Sequence, residues 1–164
     1  MGRHANAVKL SVAASSVRRW YGSMRIGQLG VPATALTLFD AEGDPECRLV
    51  REVLSELDVD LRIVPVPEGG SRHRAALTAL GGEGASVPLL HDRAAGRVVS
   101  GKDAILQHLF ATYRPKKPTV PLRYSIGAFT SKLATRIRQG RGITAAPAHS
   151  AEQDLELYSF ESSP

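Results

Sequence analysis

A single cysteine, Cys47, stands in 164 residues, so no disulfide framework can form. A reducing setting, the cytoplasm, is the default for such a chain. No apolar run approaches the roughly 20 residues of a membrane-spanning helix. The start, Met1-Gly2-Arg3-His4-Ala5-Asn6, lacks the serine or threonine of a myristoylation signal. Residues 8–17 are interrupted by Lys9 and several serines, unlike the apolar region of a secretory signal. His73, His91 and His108 have no metal-ligand spacing and no second ligand type beside them, so no metal is expected. Gly69-Gly70 and Gly81-Gly82-Glu83-Gly84 lack the lysine and hydroxyl residue that end a phosphate-binding loop.

Acidic residues are missing from two long stretches. Residues 1–34 hold five basic side chains (Arg3, Lys9, Arg18, Arg19, Arg25) and no acid, and residues 114–150 hold eight basic side chains and no acid. Between them, residues 35–113 carry 8 basic and 12 acidic side chains. The net charge of +5 therefore belongs to the flanks and not to the centre.

The centre reads as an α/β domain. Residues 36–39 make a short strand. Gly43-Asp44-Pro45 starts a helix, with Asp44 as N-cap and Pro45 in the first turn. Cys47, Val50, Leu54 and Leu57 then follow at helical spacing. Residues 61–66 make a second strand, residues 71–80 a short helix, and residues 87–90 a third strand. A turn over 92–96 leads to a fourth strand, 97–100, completing a hairpin. Asp103 opens a last helix with Ile105, Leu106, Leu109, Phe110 and Tyr113 on its buried side. This βαβ, α, ββα order favours a sheet whose first two strands are parallel.

Each flank holds an amphipathic helix. In the first, Leu10, Ala13, Val17, Trp20 or Tyr21, and Met24 fall on one face; in the second, Ile126, Phe129, Leu133 and Ile137 do. Arg18, Arg19 and Arg25, then Lys132, Arg136 and Arg138, supply the polar faces. Pro115, Pro118 and Pro121 form a stiff linker, and residues 141–153 read as flexible. Three roles are open to these flanks. They can pack on the domain or on a further unit, or touch an anionic membrane surface. The third, nucleic-acid binding, is not expected, because no stacking aromatics alternate with the basic residues.

The last ten residues repeat the first strand. Leu155-Glu156-Leu157-Tyr158-Ser159-Phe160-Glu161-Ser162-Ser163-Pro164 aligns with Leu36-Thr37-Leu38-Phe39-Asp40-Ala41-Glu42-Gly43-Asp44-Pro45 at a constant offset. Each copy follows a basic helix, so the repeating unit is helix plus domain. The expected organisation is a basic helical extension (1–34), the α/β domain (35–113), a Pro-containing linker with a basic helix (114–153), and the first strand of a truncated second repeat (154–164).

Residues 42–57, Pro67-Glu68-Gly69-Gly70-Ser71-Arg72, Val87-Pro88-Leu89-Leu90 and residues 105–113 together resemble the tandem glutathione S-transferase N-terminal-domain proteins of bacteria and plastids. Residues 155–164 are similar to the start of that family's second repeat. The resemblance implies a thioredoxin-like, glutaredoxin-like fold flanked here by the basic helices, glutathione as co-substrate, and thiol transfer or conjugation as chemistry. In such sites a helix N-terminus stabilises a thiolate.

Carried over residue by residue, the resemblance places Asp44 where the family has its nucleophilic cysteine, and Cys47 at the second cysteine of that motif. An aspartate cannot form a mixed disulfide, so the position is degenerate. Cys47 reads either as a buried apolar residue or as a thiol open to glutathionylation. Val87 and Pro88 match the cis-proline position, where the backbone pairs with glutathione; otherwise Pro88 simply starts a strand. Gly101 and Lys102 replace a Glu-Ser pair that grips the γ-glutamyl end, with Asp103 beside them; otherwise this is a plain helix cap. Ser163 matches the nucleophile position of the second repeat. The expected function is thus a glutathione-dependent transferase or thiol–disulfide oxidoreductase in the intact parent, with this unit weak or inactive. The alternative is a non-catalytic thioredoxin-like binding or assembly module.

Overall fold

Alternation along 36–40 decides the sheet. Leu36 and Leu38 point to one face and Phe39 to the other, as the twofold period of a strand requires. The computed structural model describes residues 2–24, 35–114 and 116–146. The elements are α1 (Gly2–Val17), β1 (Leu36–Asp40), α2 (Pro45–Leu57), β2 (Arg62–Pro65), α3 (Arg74–Gly81), β3 (Leu89–Asp92), β4 (Arg97–Ser100), α4 (Lys102–Tyr113), α5 (Leu122–Ser125) and α6 (Ala128–Ile137). The expected strands and helices of the centre are all present, shifted by one to three residues at several ends.

The sheet runs β2-β1-β3-β4. β1 and β2 are parallel, with α2 as the crossover, whereas β1–β3 and β3–β4 are antiparallel. This is a mixed α/β sheet of thioredoxin-like type. α2 and α4 cover one face, where Leu36, Leu38, Leu90 and Val99 meet Leu49, Val53, Leu54, Ile105, Leu109 and Phe110. α3 covers the other face with Leu77 against Phe39, Val64, Val66 and Leu89. Such paired layers remove both faces of a small sheet from water. Among the described residues no helix is long and apolar enough to cross a membrane.

Both flanks pack onto this domain, but not by the faces that periodicity marks. α6 sits on α1 and α2. Its buried residues are Ser131, Ala134 and Thr135, while Ile126 is 67% and Phe129 75% exposed. The reason is what lies underneath. The Ser131 hydroxyl donates to the Pro45 carbonyl (2.7 Å) and the Thr135 hydroxyl to the Gly43 carbonyl (2.8 Å), so α6 meets backbone rather than side chains there. Close approach to carbonyls selects hydroxyls and alanine over leucine or phenylalanine.

On α1 the buried residues are Ala14 and, just past the helix end, Arg18; Ala13, Trp20 and Met24 are exposed. The helix stops at Val17 because Arg19 and Trp20 both take left-handed conformations (φ 55° and 56°). That bend turns Trp20 off the predicted stripe, while the alternative, Tyr21, is half-buried against the Tyr124 ring (centroids 6.3 Å apart). Residues 141–146, expected as flexible, are hydrogen-bonded instead. Glu68 N–H donates to the Ile143 carbonyl (2.7 Å) and Ala145 N–H to the Glu68 carbonyl (2.8 Å). Residues 25–34 and 147–164 lie outside the described residues, and with them the expected second-repeat strand and Ser163.

Candidate functional site

Strand register brings the predicted site residues between 44 and 103 to one end of the sheet. Asp40, the last residue of β1, pairs with Pro65; Phe39 pairs with Leu89, the first residue of β3; Leu89 pairs with Ser100, the last of β4. The β1–α2 turn with Asp44, the Val87–Pro88 bond before β3, and the Gly101 start of α4 therefore leave the sheet together. The Val87–Pro88 peptide bond is cis, as the resemblance implies, and the Pro88 carbonyl accepts from Gly101 N–H (3.0 Å), which links two of the three segments.

Asp44 is the N-cap of α2. One carboxylate oxygen accepts from Glu46 N–H (2.9 Å) and Cys47 N–H (2.8 Å). Its own backbone is extended (φ −69°, ψ 130°), and Pro45 starts the helix with the missing N–H where none is needed. A negative charge thus occupies the positive end of the α2 dipole. That is the place where a thiolate would be stabilised.

Cys47 lies one turn in and is completely buried. Ala41 N–H donates weakly to Sγ (3.5 Å). Burial pushes the thiol far above its usual pKa, and the nearby Asp40 carboxylate adds to the rise. The geometry fits a small apolar core residue and gives a thiolate no support.

At the start of α4, Gly101 takes φ 81° with open space beside its Cα, and caps the helix without a side-chain hydrogen bond. Lys102 is buried, and its ammonium pairs with the exposed Asp103 carboxylate. The described geometry joins Lys102 and Asp103 to each other.

Several residues that hold this end together were not singled out from sequence. Arg51 on α2 donates to both Asp40 oxygens (2.6 and 2.7 Å) and to the Glu42 carbonyl (2.7 Å), tying the turn to the helix after it. Arg138 pairs with Glu42. Gly142 accepts at its carbonyl from Gly43 N–H (3.0 Å). A Cβ on Gly43 would come within 2.3 Å of the Arg141 carbonyl oxygen, so this approach requires glycine. With the Glu68 hydrogen bonds, residues 141–145 form a strap across the β1–α2 turn and the loop after β2. The only sequence hint was the Gly140-Arg141-Gly142 string, which reads locally as a loop.

The fold defines a class: a mixed α/β domain of thioredoxin-like type. Residues 38–117 match the family described as glutathione S-transferase, N-terminal domain. Among solved structures the chain is similar to Ure2p in complex with glutathione, at 26% identity and TM-score 0.46, with 61% of this chain and 48% of that one covered. It is also similar to a glutathione S-transferase of Ceriporiopsis subvermispora in complex with glutathione, at 20% identity and TM-score 0.41, with 58% and 44% covered. The chain spans about half the length of these structures or less. No curated protein sequence matches it.

Proposed function

We propose that this domain is a glutathione-site scaffold that has lost its nucleophile, within a parent that is a glutathione-dependent transferase or thiol–disulfide oxidoreductase. The observation that carries the reading is the Asp44 carboxylate on Glu46 and Cys47 N–H at the N-terminus of α2. The surrounding parts suit glutathione: the backbone before the cis Val87–Pro88 bond, and the Gly101–Asp103 helix start at the same sheet end. The centre of the site does not, because Asp44 already fills the dipole end and would repel a thiolate. Chemistry in the parent would then fall to the second repeat, with Ser163 at its nucleophile position.

The second reading is a non-catalytic thioredoxin-like assembly module. The complete burial of Cys47 and the pairing of Lys102 with Asp103 favour it. Titration calorimetry of the full chain with glutathione separates the two. A dissociation constant near millimolar supports the scaffold reading. No heat at any accessible concentration supports the module. Micromolar affinity would show that Asp44 does not disable the site.

A further inference from the structure

The turn that ends α1 is built a second time at the end of α6. Arg18 N–H bonds the Ala14 carbonyl, and Arg138 N–H bonds that of Ala134. The pairs Arg19–Ser16, Trp20–Ser15, Tyr21–Arg18 and Ser23–Trp20 recur as Gln139–Arg136, Gly140–Thr135, Arg141–Arg138 and Ile143–Gly140, always 120 positions later. The left-handed residues match as well: Arg19 with Gln139 (φ 55° and 57°), Trp20 with Gly140 (56° and 68°), Gly22 with Gly142 (84° and 82°). Both helices end at equivalent residues, Val17 and Ile137, and both bury an alanine one turn earlier, Ala14 and Ala134.

The residues by which α6 clamps the β1–α2 turn have chemical counterparts on α1. Ser131 bonds the Pro45 carbonyl, Thr135 the Gly43 carbonyl, Arg138 the Glu42 carboxylate and Gly142 the Gly43 N–H. The counterparts on α1 are Ser11, Ser15, Arg18 and Gly22. Ser131 and Thr135 are buried under the turn they hold, whereas Ser11 and Ser15 are half-buried.

What fits such a clamp is a second turn of the same kind: a strand followed by Glu-x-x-Pro at a helix start. The matching sequence recurs at Glu161-Ser162-Ser163-Pro164, which aligns with Glu42-Gly43-Asp44-Pro45. We infer that the Ser11–Ser15–Gly22 face of α1 is the docking surface for the turn at Glu161–Pro164, so that each helix clamps the other unit's site. This rests on the tandem reading above and deepens it. The two clamps are not identical. Ser162 stands where Gly43 lets the strap in, and Arg18 is already engaged by Glu52 (2.9 Å). The second contact is therefore looser at Gly22 and depends on the two serines.

The test uses the full chain, uniformly nitrogen-15 labelled, beside a variant ending at Asp154. Removing residues 155–164 should move the amide signals of Ser11, Ser15 and Gly22, independently of protein concentration. Ser11→Ala with Ser15→Ala in the full chain should move the signals of Glu161 and Ser162. Perturbation confined to Ile126, Phe129 and Leu133 would place the segment on the apolar stripe of α6 and overturn the inference. An unchanged spectrum would overturn it too. Changes that vanish on dilution would mean a second copy supplies the turn, again against the inference. Circular dichroism of each variant confirms that the domain stays folded. Sequencing the gene beyond Pro164 tests the tandem reading by itself, and glutathione titration of the same variants tests the site reading.

Discussion

The guanidinium of Arg18 lies against the carboxylate of Glu52, with Nε at 2.9 Å from one oxygen, and both residues are buried (2% and 1% exposed). The same guanidinium donates to the Gly127 carbonyl (3.1 Å) and to Thr130, so one side chain joins the N-terminal flank, α2 and the start of α6. Removing one partner from a buried ion pair strands the other charge, at a cost of about 3–5 kcal/mol. Arg18→Ala and Glu52→Ala should each lower stability by that order, while Arg18→Met combined with Glu52→Leu should recover much of the loss. Urea unfolding of the three variants checks this, and a double variant that loses as much as the two alanine variants added together would refute the pairing.

Asp44→Cys should restore redox chemistry. It recreates a Cys-Pro-Glu-Cys string at a helix start, where the outer thiol is stabilised as thiolate. Attack on oxidised glutathione would form a mixed disulfide and release one glutathione; Cys47 would then resolve it, releasing the second and closing the 44–47 disulfide. Loss of the aspartate cap should cost about 1 kcal/mol. A thiol count after mild oxidation reads the outcome. Two free thiols in a folded variant would mean that the buried Cys47 thiol does not reach residue 44, against the prediction.

Much of this site was legible in the chain. Asp44 and Pro45 announce the α2 cap locally, and Val87–Pro88 and Gly101 stand at strand and helix boundaries that hydrophobic alternation marks. The unread part depends on contacts far apart in sequence. A 3.6-residue stripe such as Ile126, Phe129 and Leu133 says that a helix is two-faced, but not which face turns inward. Here the carbonyls of Gly43 and Pro45 decide it, more than 80 positions away. Arg18 reads as a solvated charge until Glu52, 34 positions on, is seen beside it.

Gly43→Ala should destabilise more than Gly69→Ala. Gly69 has φ 76° and nothing within 4 Å of the methyl that alanine would add, so its substitution strains the backbone alone, by about 1 kcal/mol. The Gly43 methyl would strike the backbone of Arg141, Gly142 and Ile143. The strap should lift, exposing Ala145 N–H. Faster hydrogen exchange at Ala145 and Glu68 in Gly43→Ala alone is the expected result; equal protection in both variants would contradict the close approach.

Asp92, fully buried at the far end of β3, accepts from Ala95 N–H (2.9 Å), His108 Nε2 (2.8 Å) and Tyr113 OH (3.2 Å). Burial alone would raise its pKa, but these hydrogen bonds outweigh it and hold the carboxyl below its usual range, while Tyr113 is pushed up to about 12 by its own burial and by Asp92. A depressed carboxyl pKa contributes stability that is complete above the unfolded value and is lost as pH falls through the folded one. Stability should therefore drop below about pH 4, and Asp92→Asn should be less stable at pH 7 with a flatter acid limb. Denaturant midpoints between pH 2 and pH 7 would show it; an unchanged acid limb in Asp92→Asn would assign the loss to other carboxylates.

The acid-free flanks should bind anionic vesicles weakly, and only at low salt, because the Debye length shortens as salt rises. Leu122, Ile126 and Phe129 face outward beside Lys132 and Arg136, which suits the headgroup region. Co-sedimentation with phosphatidylserine and phosphatidylcholine vesicles at two salt concentrations measures this. Equal binding to neutral lipid, or indifference to salt, would refute an electrostatic contact.

The outermost strands, β2 and β4, are four residues each, and both expose arginine: Arg62 on one edge, Arg97 on the other. β2 also ends on Pro65, which has no N–H to offer a neighbouring strand. Short edges with charge and proline are poor templates for sheet extension. Two such domains side by side would gain little by continuing one sheet into the next, and a crowded solution of them has little tendency to polymerise strand to strand. Association is left to the helical surfaces, where hydroxyls, glycine and matching turns give it an address.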